Sequence, residues 1–247
     1  MTFRDRFMFG NNQVEALPIP VVPRWQIPRH FWYGLAKRSF DIVIALILLA
    51  ALALVFALIA LAIKLDSAGP VIFRQTRIGK DGRPFTFFKF RSMRQNADSR
   101  LHEEHMRRLM RGDNASPASP VPTVTEAAKR VGKLVNDPRI TRVGRFLRKT
   151  SLDELPQLFN ILQGSMSLVG PRPALPYEVA LYTEHERQRL DVIPGVTSLW
   201  ALAGRGDVPF DEQIRLDLDY IRRQSFWLDF KILALTPWAV LRGTGAG

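Results

Sequence analysis

The sequence predicts an α+β chain dominated by helix, with a membrane-embedded N-terminal helix, a small β-hairpin and surface amphipathic helices. Three observations carry this. Residues 42–63 form a run of twenty-two positions without one polar side chain. Two short runs of aromatic and β-branched residues follow, with turn residues between them. The remainder mixes basic and apolar residues at helical spacing, and the 247 residues carry a net charge of +12.

The apolar run lies between Asp41 and Lys64. As a helix at about 1.5 Å per residue it is about 33 Å long, enough for a hydrocarbon core of about 30 Å. It is longer than the apolar core of a signal peptide and further from the N-terminus, and no small-residue cleavage site follows Ile63. A buried helix of a soluble core is the alternative, but such helices rarely go so long without a polar residue. Both flanks are basic: Arg24, Arg29, Lys37 and Arg38 before the run, Lys64, Arg74, Arg77, Lys80 and Arg83 after it. The positive-inside rule places both flanks in the cytoplasm. A re-entrant hairpin that enters and leaves by one face satisfies this; a single straight span is the other option.

The chain divides into an N-terminal arm (1–36), a membrane-inserted helix or helical hairpin (37–64) and a cytoplasmic domain (65–247) long enough for its own core. In the arm, Pro18, Pro20, Pro23 and Pro28 oppose a long helix. Phe31, Trp32 and Tyr33 stand where aromatic rings favour the headgroup level. A disordered arm is the competing view.

Residues 66–70 are turn chemistry, 71–75 read as a strand, 78–82 as a turn and 85–90 as a second strand, together a hairpin with a long loop. Residues 97–111 are charged and helical in pattern. The stretch 112–125 is rich in proline and serine, so the segment at about 97–136 reads as a mobile insertion. Residues 140–149 place Arg142, Arg145, Arg148 and Lys149 on one helical face. Residues 177–192 and 210–223 read as surface helices. Residues 226–241 are too polar, and too broken by Pro237, to span a membrane. They suit a helix that lies on the bilayer or packs on the domain.

Composition excludes several chemistries. There is no cysteine, so disulfides and cysteine-held metals are out. The four histidines (His30, His102, His105, His185) leave little room for a histidine metal centre; His102 and His105, with Glu103 and Glu104 between them, read as a solvated face. The basic balance points to anionic partners: nucleic acid, acidic lipids or phosphorylated substrates. The membrane segment favours the latter two.

The most distinctive segment is Ser151-Leu152-Asp153-Glu154-Leu155-Pro156-Gln157, continued by an amphipathic stretch that Gly164 ends. Ser-x-x-Glu is a capping box, which would make both acids structural. Pro156 opposes that: with Ser151 as N-cap it would sit where the helix needs an amide hydrogen. A helix starting at Asp153 puts Pro156 in the first turn and both acids at the positive end of the dipole. Cap and catalyst stay equally open on local sequence. The surround is basic: Lys89 and Arg91 at the end of the second strand, Arg148 five residues before Asp153, Arg172 between two prolines, and Arg205 between two glycines. Arginine forks suit phosphate oxygens, paired carboxylates suit Mg²⁺, and a carboxylate can attack phosphorus to give an acyl phosphate.

These residues closely resemble the bacterial sugar transferase family, the monotopic polyprenyl-phosphate phosphoglycosyl transferases. The resemblance runs from about Lys37 to Arg242. It rests on Lys37-Arg38-Ser39-Phe40-Asp41, on residues 64–71, and on Lys89-Phe90-Arg91-Ser92-Met93. It continues in residues 150–157, Val169-Gly170-Pro171-Arg172-Pro173, Pro194-Gly195-Val196-Thr197 and residues 227–233, in that order. It implies that residues 65–247 are a catalytic domain on the cytoplasmic face of a bacterial inner membrane. It further implies transfer of a sugar 1-phosphate from a UDP-sugar to polyprenyl (undecaprenyl) phosphate, with release of UMP. Asp153 would be the nucleophile in a ping-pong scheme. Asp153 and Glu154 would hold Mg²⁺, with Glu154 otherwise handling protons and charge. Lys89, Arg148 and Arg172 match positions expected to hold phosphate, and Arg91 and Arg205 are grouped with them. The product would open synthesis of an exopolysaccharide, capsule, O-antigen or glycoprotein glycan. Membrane lipids are expected partners, nucleic acid is not, and self-association is open.

The sequence departs from the family pattern in places. Ala53-Leu54 stands where a proline usually breaks the membrane helix, which keeps the single span alive. Ser198-Leu199-Trp200-Ala201 replaces a segment common as Gly-Leu-Trp-Gln, and Ile193 replaces a frequent arginine, so nucleotide or sugar contacts would differ. Sugar specificity is expected in 198–209 and 112–136. Extra N-terminal spans of some relatives have no counterpart, so the sequence reads as a minimal form. The competing functions are a non-enzymatic membrane-anchored scaffold and, on charge alone, a tethered nucleic-acid binder.

Overall fold

The computed structural model describes residues 31–94, 139–204 and 208–242. Most of the arm, the insertion at 97–136, His30, His102, His105 and Arg205 lie outside the described residues.

The apolar run is two helices, α1 (Phe31–Ala51) and α2 (Ala53–Asp66), bent by 62° at Leu52. No proline or glycine makes this bend. Leu52 leaves the helical region (φ −99°, ψ 8°), while Leu52 N–H still donates to Leu48 O and Phe56 N–H to Leu52 O. Packing supplies a reason. Ala45 of α1 belongs to one core cluster, whereas Ile59 and Ile63 of α2 seat in another with Phe90 and Leu147. A straight helix could not reach both. No single described helix is long and apolar enough to cross a membrane; the bent pair meets that test together. The helix also begins at Phe31, six residues before the boundary drawn from sequence, so the aromatic trio belongs to its first turn.

Strands β1 (Ile72–Ile78) and β2 (Pro84–Phe90) form the expected antiparallel hairpin, pairing Ile72 with Phe90 through Ile78 with Pro84. The first strand runs three residues further than its sequence pattern suggests. Its loop holds a 3₁₀ turn, Lys80–Gly82, with Asp81 at φ 57°. Helix α3 (Arg142–Thr150) starts at Thr141, whose hydroxyl accepts from Gly144 N–H, and ends at Ser151 in the left-handed region. A 3₁₀ turn (Leu152–Glu154) leads into α4 (Gln157–Gln163), closed by left-handed Gly164.

A second, parallel pair escaped the sequence pattern: β3 (Ser167–Val169) and β4 (Gly195–Thr197). Three-residue strands leave too little alternation to read. Their backbones meet at Gly170 and Gly195, where a Cβ on Gly195 would sit 2.0 Å from Gly170 N. The single helix expected over 177–192 is three pieces instead: α5 (Pro176–Leu181), α6 (Glu184–Arg187) and a 3₁₀ turn (Gln188–Asp191). Tyr182 turns extended to bury its ring, and a Thr183–Glu186 capping box restarts the helix. Helix α7 (Leu199–Ala203) follows β4, then α8 (Phe210–Arg223) as expected. Helix α9 (Phe226–Arg242) runs through Pro237 without ending. It packs Asp229 and Ile232 inward and leaves Trp227, Phe230 and Trp238 exposed.

The Gly170–Gly195 contact is testable. Gly195→Ala should lower stability by about 3 kcal/mol or more, since backbone meets backbone and cannot move aside. Gly34→Ala, with nothing within 4 Å of its Cβ, should be neutral or stabilising by up to about 1 kcal/mol. Thermal melts of both variants, purified alike, check the pair; equal midpoints would contradict the packing.

Candidate active site

The acid pair sits on a turn that the chain makes at some local cost. Ser151 adopts φ 58°, one of two described non-glycine residues at positive φ. There it ends α3, with its N–H on Arg148 O, and starts the 3₁₀ turn by accepting from Glu154 N–H. Its side chain makes no cap bond to that turn, so the capping box does not form. Pro156 is the N-cap of α4 at φ −62°, where its missing N–H costs nothing. The tight turn leaves Asp153 buried and Glu154 half-buried.

A buried asparagine fixes this turn against the hairpin. Asn160 of α4 is fully buried; its Nδ2 donates to Thr86 O (2.6 Å) and its Oδ1 accepts from Phe88 N–H (3.0 Å). The side-chain amide thus serves the edge of β2 as a strand would. Lys89, the next residue, then stands beside the acids. Its Nζ is 3.5 Å from Asp153 Oδ2 and 3.6 Å from Glu154 Oε1, while Arg172 Nη1 is 3.5 Å from Glu154 Oε1. These are ion-pair separations rather than hydrogen bonds. Arg148, in the last turn of α3, is half-buried and adds its charge near Asp153.

Burial pushes the Asp153 carboxyl above its ordinary range. Lys89 opposes this, Glu154 reinforces it, and Arg148 and Arg172 pull the other way. The result is a desolvated carboxylate ringed by cations, the environment expected of an activated nucleophile.

Of the residues singled out from sequence, Asp153, Glu154, Lys89, Arg148 and Arg172 come together. Arg91 does not join them. It is buried, and its Nη2 donates to Ser67 O (2.6 Å) and Ser67 Oγ (3.0 Å) at the end of α2. In a continuous strand Lys89 and Arg91 would share a face, but β2 ends at Phe90, so Arg91 turns elsewhere.

Arg77 is the addition. It is buried, donates from Nη1 to Pro173 O (3.0 Å) and lies 5.2 Å from the Phe87 ring centroid; Lys89 Nζ is 5.7 Å from the same centroid. Burial, with Arg172 nearby, lowers its guanidinium to about 10. Its links to the site run through Pro173 and the Phe87 ring, and no pattern in the sequence reveals either.

No group of three or more histidine, aspartate or glutamate ligands occurs among the described residues. Two adjacent carboxylates are nevertheless a donor set that fits Mg²⁺, which takes one or two from protein and keeps water and phosphate oxygens for the rest. Glu154, the more exposed of the two, is the more accessible donor.

Comparison with known proteins identifies the family. The family model described as bacterial sugar transferase matches residues 32–243. The galactosyl transferase CpsE of Streptococcus agalactiae is 42% identical over 213 residues, 86% of this chain and 43% of that protein. The UDP-glucose:undecaprenyl-phosphate glucose-1-phosphate transferase of Escherichia coli is 41% identical over 247 residues, 94% of this chain and 46% of that protein. The chain therefore spans less than half the length of these two curated relatives. It covers 88% of the exopolysaccharide production protein ExoY of Sinorhizobium fredii, at 38% identity over 213 residues. With the matched region taking in both membrane-type helices, the acid pair and its cations, this chain belongs to the bacterial sugar transferase family.

Proposed function

We propose that the protein transfers a sugar 1-phosphate from a UDP-sugar to polyprenyl phosphate, releasing UMP. The observation that carries this reading is the buried Asp153 carboxylate, faced by Lys89 and flanked by Arg148 and Arg172, on a domain anchored to a bent apolar helix pair. The named activities of relatives support the same substrate classes.

In the first half-reaction an Asp153 carboxylate oxygen attacks the phosphorus that bears the sugar. The bond from that phosphorus to the bridging oxygen breaks, and UMP leaves with the oxygen and its electron pair. The phosphosugar is then an acyl phosphate on Asp153. In the second, an oxygen of polyprenyl phosphate attacks the same phosphorus, the acyl-phosphate bond breaks, and Asp153 is restored as carboxylate. One site thus meets a soluble and a lipid substrate in turn.

Lys89 holds the carboxylate in place and offsets the charge that accumulates on the phosphorus oxygens. Arg172 offers a planar fork to a phosphate and restrains Glu154. Arg148 adds positive potential. Asp153 and Glu154 are the residues that would hold Mg²⁺, which when bound neutralises diphosphate charge. In the membrane, α1 and α2 enter and leave by the cytoplasmic face. The exposed aromatic side of α9 lies at headgroup level, beside a lipid phosphate acceptor.

The test is a UMP-release assay with polyprenyl phosphate, Mg²⁺ and a donor panel that includes UDP-glucose and UDP-galactose. At least one donor should release UMP; release from none would leave the membrane-scaffold reading in its place. Asp153→Asn should abolish release. Because burial raises this pKa above its unfolded value, the native state holds the proton more tightly. The Asp153 contribution to stability therefore falls as pH rises from about 4 through the native pKa. Asp153→Asn should accordingly melt no lower than wild type at neutral pH. Chelation of Mg²⁺ should stop release without lowering the melting temperature, as expected if the ion serves chemistry and not folding.

A further inference from the structure

We infer that the first turns of α1 are a positioning block for the active site, and that Lys37 is the residue that sets Arg172 against the acid pair. This rests on the function proposed above and concerns residues that touch no substrate.

Three side chains from one side of α1 reach the two segments that carry the site. Arg38 donates from Nη1 to Ile161 O (2.5 Å) and from Nη2 to Leu162 O (3.0 Å). These are last-turn carbonyls of α4, so its charge also complements the negative end of that helix dipole. The N-terminus of α4 follows directly from the Asp153–Glu154 turn. Asp41, buried, accepts from Leu168 N–H through Oδ1 (3.1 Å). Lys37 Nζ donates to Val169 O (3.1 Å) and to Asp229 Oδ2 (2.8 Å).

The Lys37 contact is the decisive one. Val169 lies three residues before Arg172. Tyr220 Oη is also near Val169 O, at 3.2 Å, but it lies closer to Asp229 Oδ1, at 2.7 Å. A hydroxyl has one hydrogen, so Tyr220 gives it to the carboxylate and Lys37 becomes the donor to Val169 O. Tyr33 Oη completes the cluster with a bond to Asp229 Oδ2 (2.8 Å).

The rest of the turn is held in the same manner. Pro171 O accepts from Gly195 N–H (2.8 Å), Arg172 O from Arg189 Nη2 (3.4 Å) and Pro173 O from Arg77 Nη1 (3.0 Å). Distant groups, three of them cationic side chains, thus hold four carbonyls between 169 and 173, and Arg172 is left projecting to Glu154. Of these anchors only Lys37 belongs to the membrane helix. The seating of α1 is in this way transmitted to Arg172 through Lys37 and to the acid pair through Arg38.

The test has two arms. Lys37→Met removes the donor, and Lys37→Met/Asp229→Asn removes it without stranding a buried carboxylate; Lys37→Arg keeps it. In hydrogen exchange on the full chain in lipid nanodiscs, both Met variants should speed exchange at Gly170 and Gly195. Exchange in the middle of α8 should match wild type, and Lys37→Arg should restore protection. Unchanged exchange at Gly170 and Gly195, or an equal rise throughout the domain, would overturn the inference. This arm needs no turnover, so it stands even if no UDP-sugar proves to be a donor, which would instead overturn the proposed function. In the second arm, the doubly substituted protein should lose roughly 10- to 100-fold in UMP-release kcat, the scale of a small misplacement of a catalytic group. Adding it to Arg172→Lys should cost less than about 3-fold more, because both changes remove one function. Multiplying losses would show that Lys37 does not act through Arg172.

Discussion

A carboxylate kept from water must be surrounded by positive charge held in place by something else. That constraint organises this protein. Asp153 is nearly inaccessible, and the cations around it come from three separate places: Lys89 on the hairpin, Arg148 at the end of α3, and Arg172 on the turn after β3. Each reaches the acid pair only if its own element is fixed. The buried polar interactions of the domain do much of that fixing. Asn160 joins α4 to β2, Arg77 and Arg189 hold carbonyls of the turn, and Gly170 lies against Gly195 with no room for a side chain. An unpaired buried group in such a network costs more than its partner contributes, so the network is specific as well as stabilising.

The two apolar helices serve the same end. The 62° bend lets α1 and α2 contact different core clusters, so the apolar pair is packed into the domain. The base of α1 then contacts both halves of the site through Arg38 and Lys37. For the proposed transfer from a water-soluble donor to a lipid acceptor, this arrangement would tie the catalytic groups to the apolar helix pair.

Much of this was legible in the sequence, for identifiable reasons. The hairpin, α3, α8 and the Gly164 stop follow from alternation, helical spacing and left-handed glycine, all of which are local. The acid pair stood out because Pro156 opposes a capping box there, although a plain cap stayed open. Lys89, Arg148 and Arg172 stood out as a basic surround that matches the family's motifs. What escaped was non-local. The β3–β4 pair is too short to show a period. The bend at Leu52 has no breaker residue and arises from packing. Arg91 was grouped with the phosphate-binding cations by its place at the end of the second strand, but it lies past the strand end and turns to Ser67. Lys37 and Arg38 were visible as flanking charge for a membrane segment, yet their partners are more than a hundred residues away. Arg205 and the 97–136 insertion fall outside the described residues.

The proposed mechanism requires that Asp153 carry the phosphosugar. Incubating the protein with its UDP-sugar and Mg²⁺ in the absence of polyprenyl phosphate, quenching and mapping peptides by mass decides it. One added phosphosugar is expected, located on Asp153 and discharged when the lipid phosphate is supplied. UMP release with no adduct, or an adduct on Glu154 in place of Asp153, would contradict it.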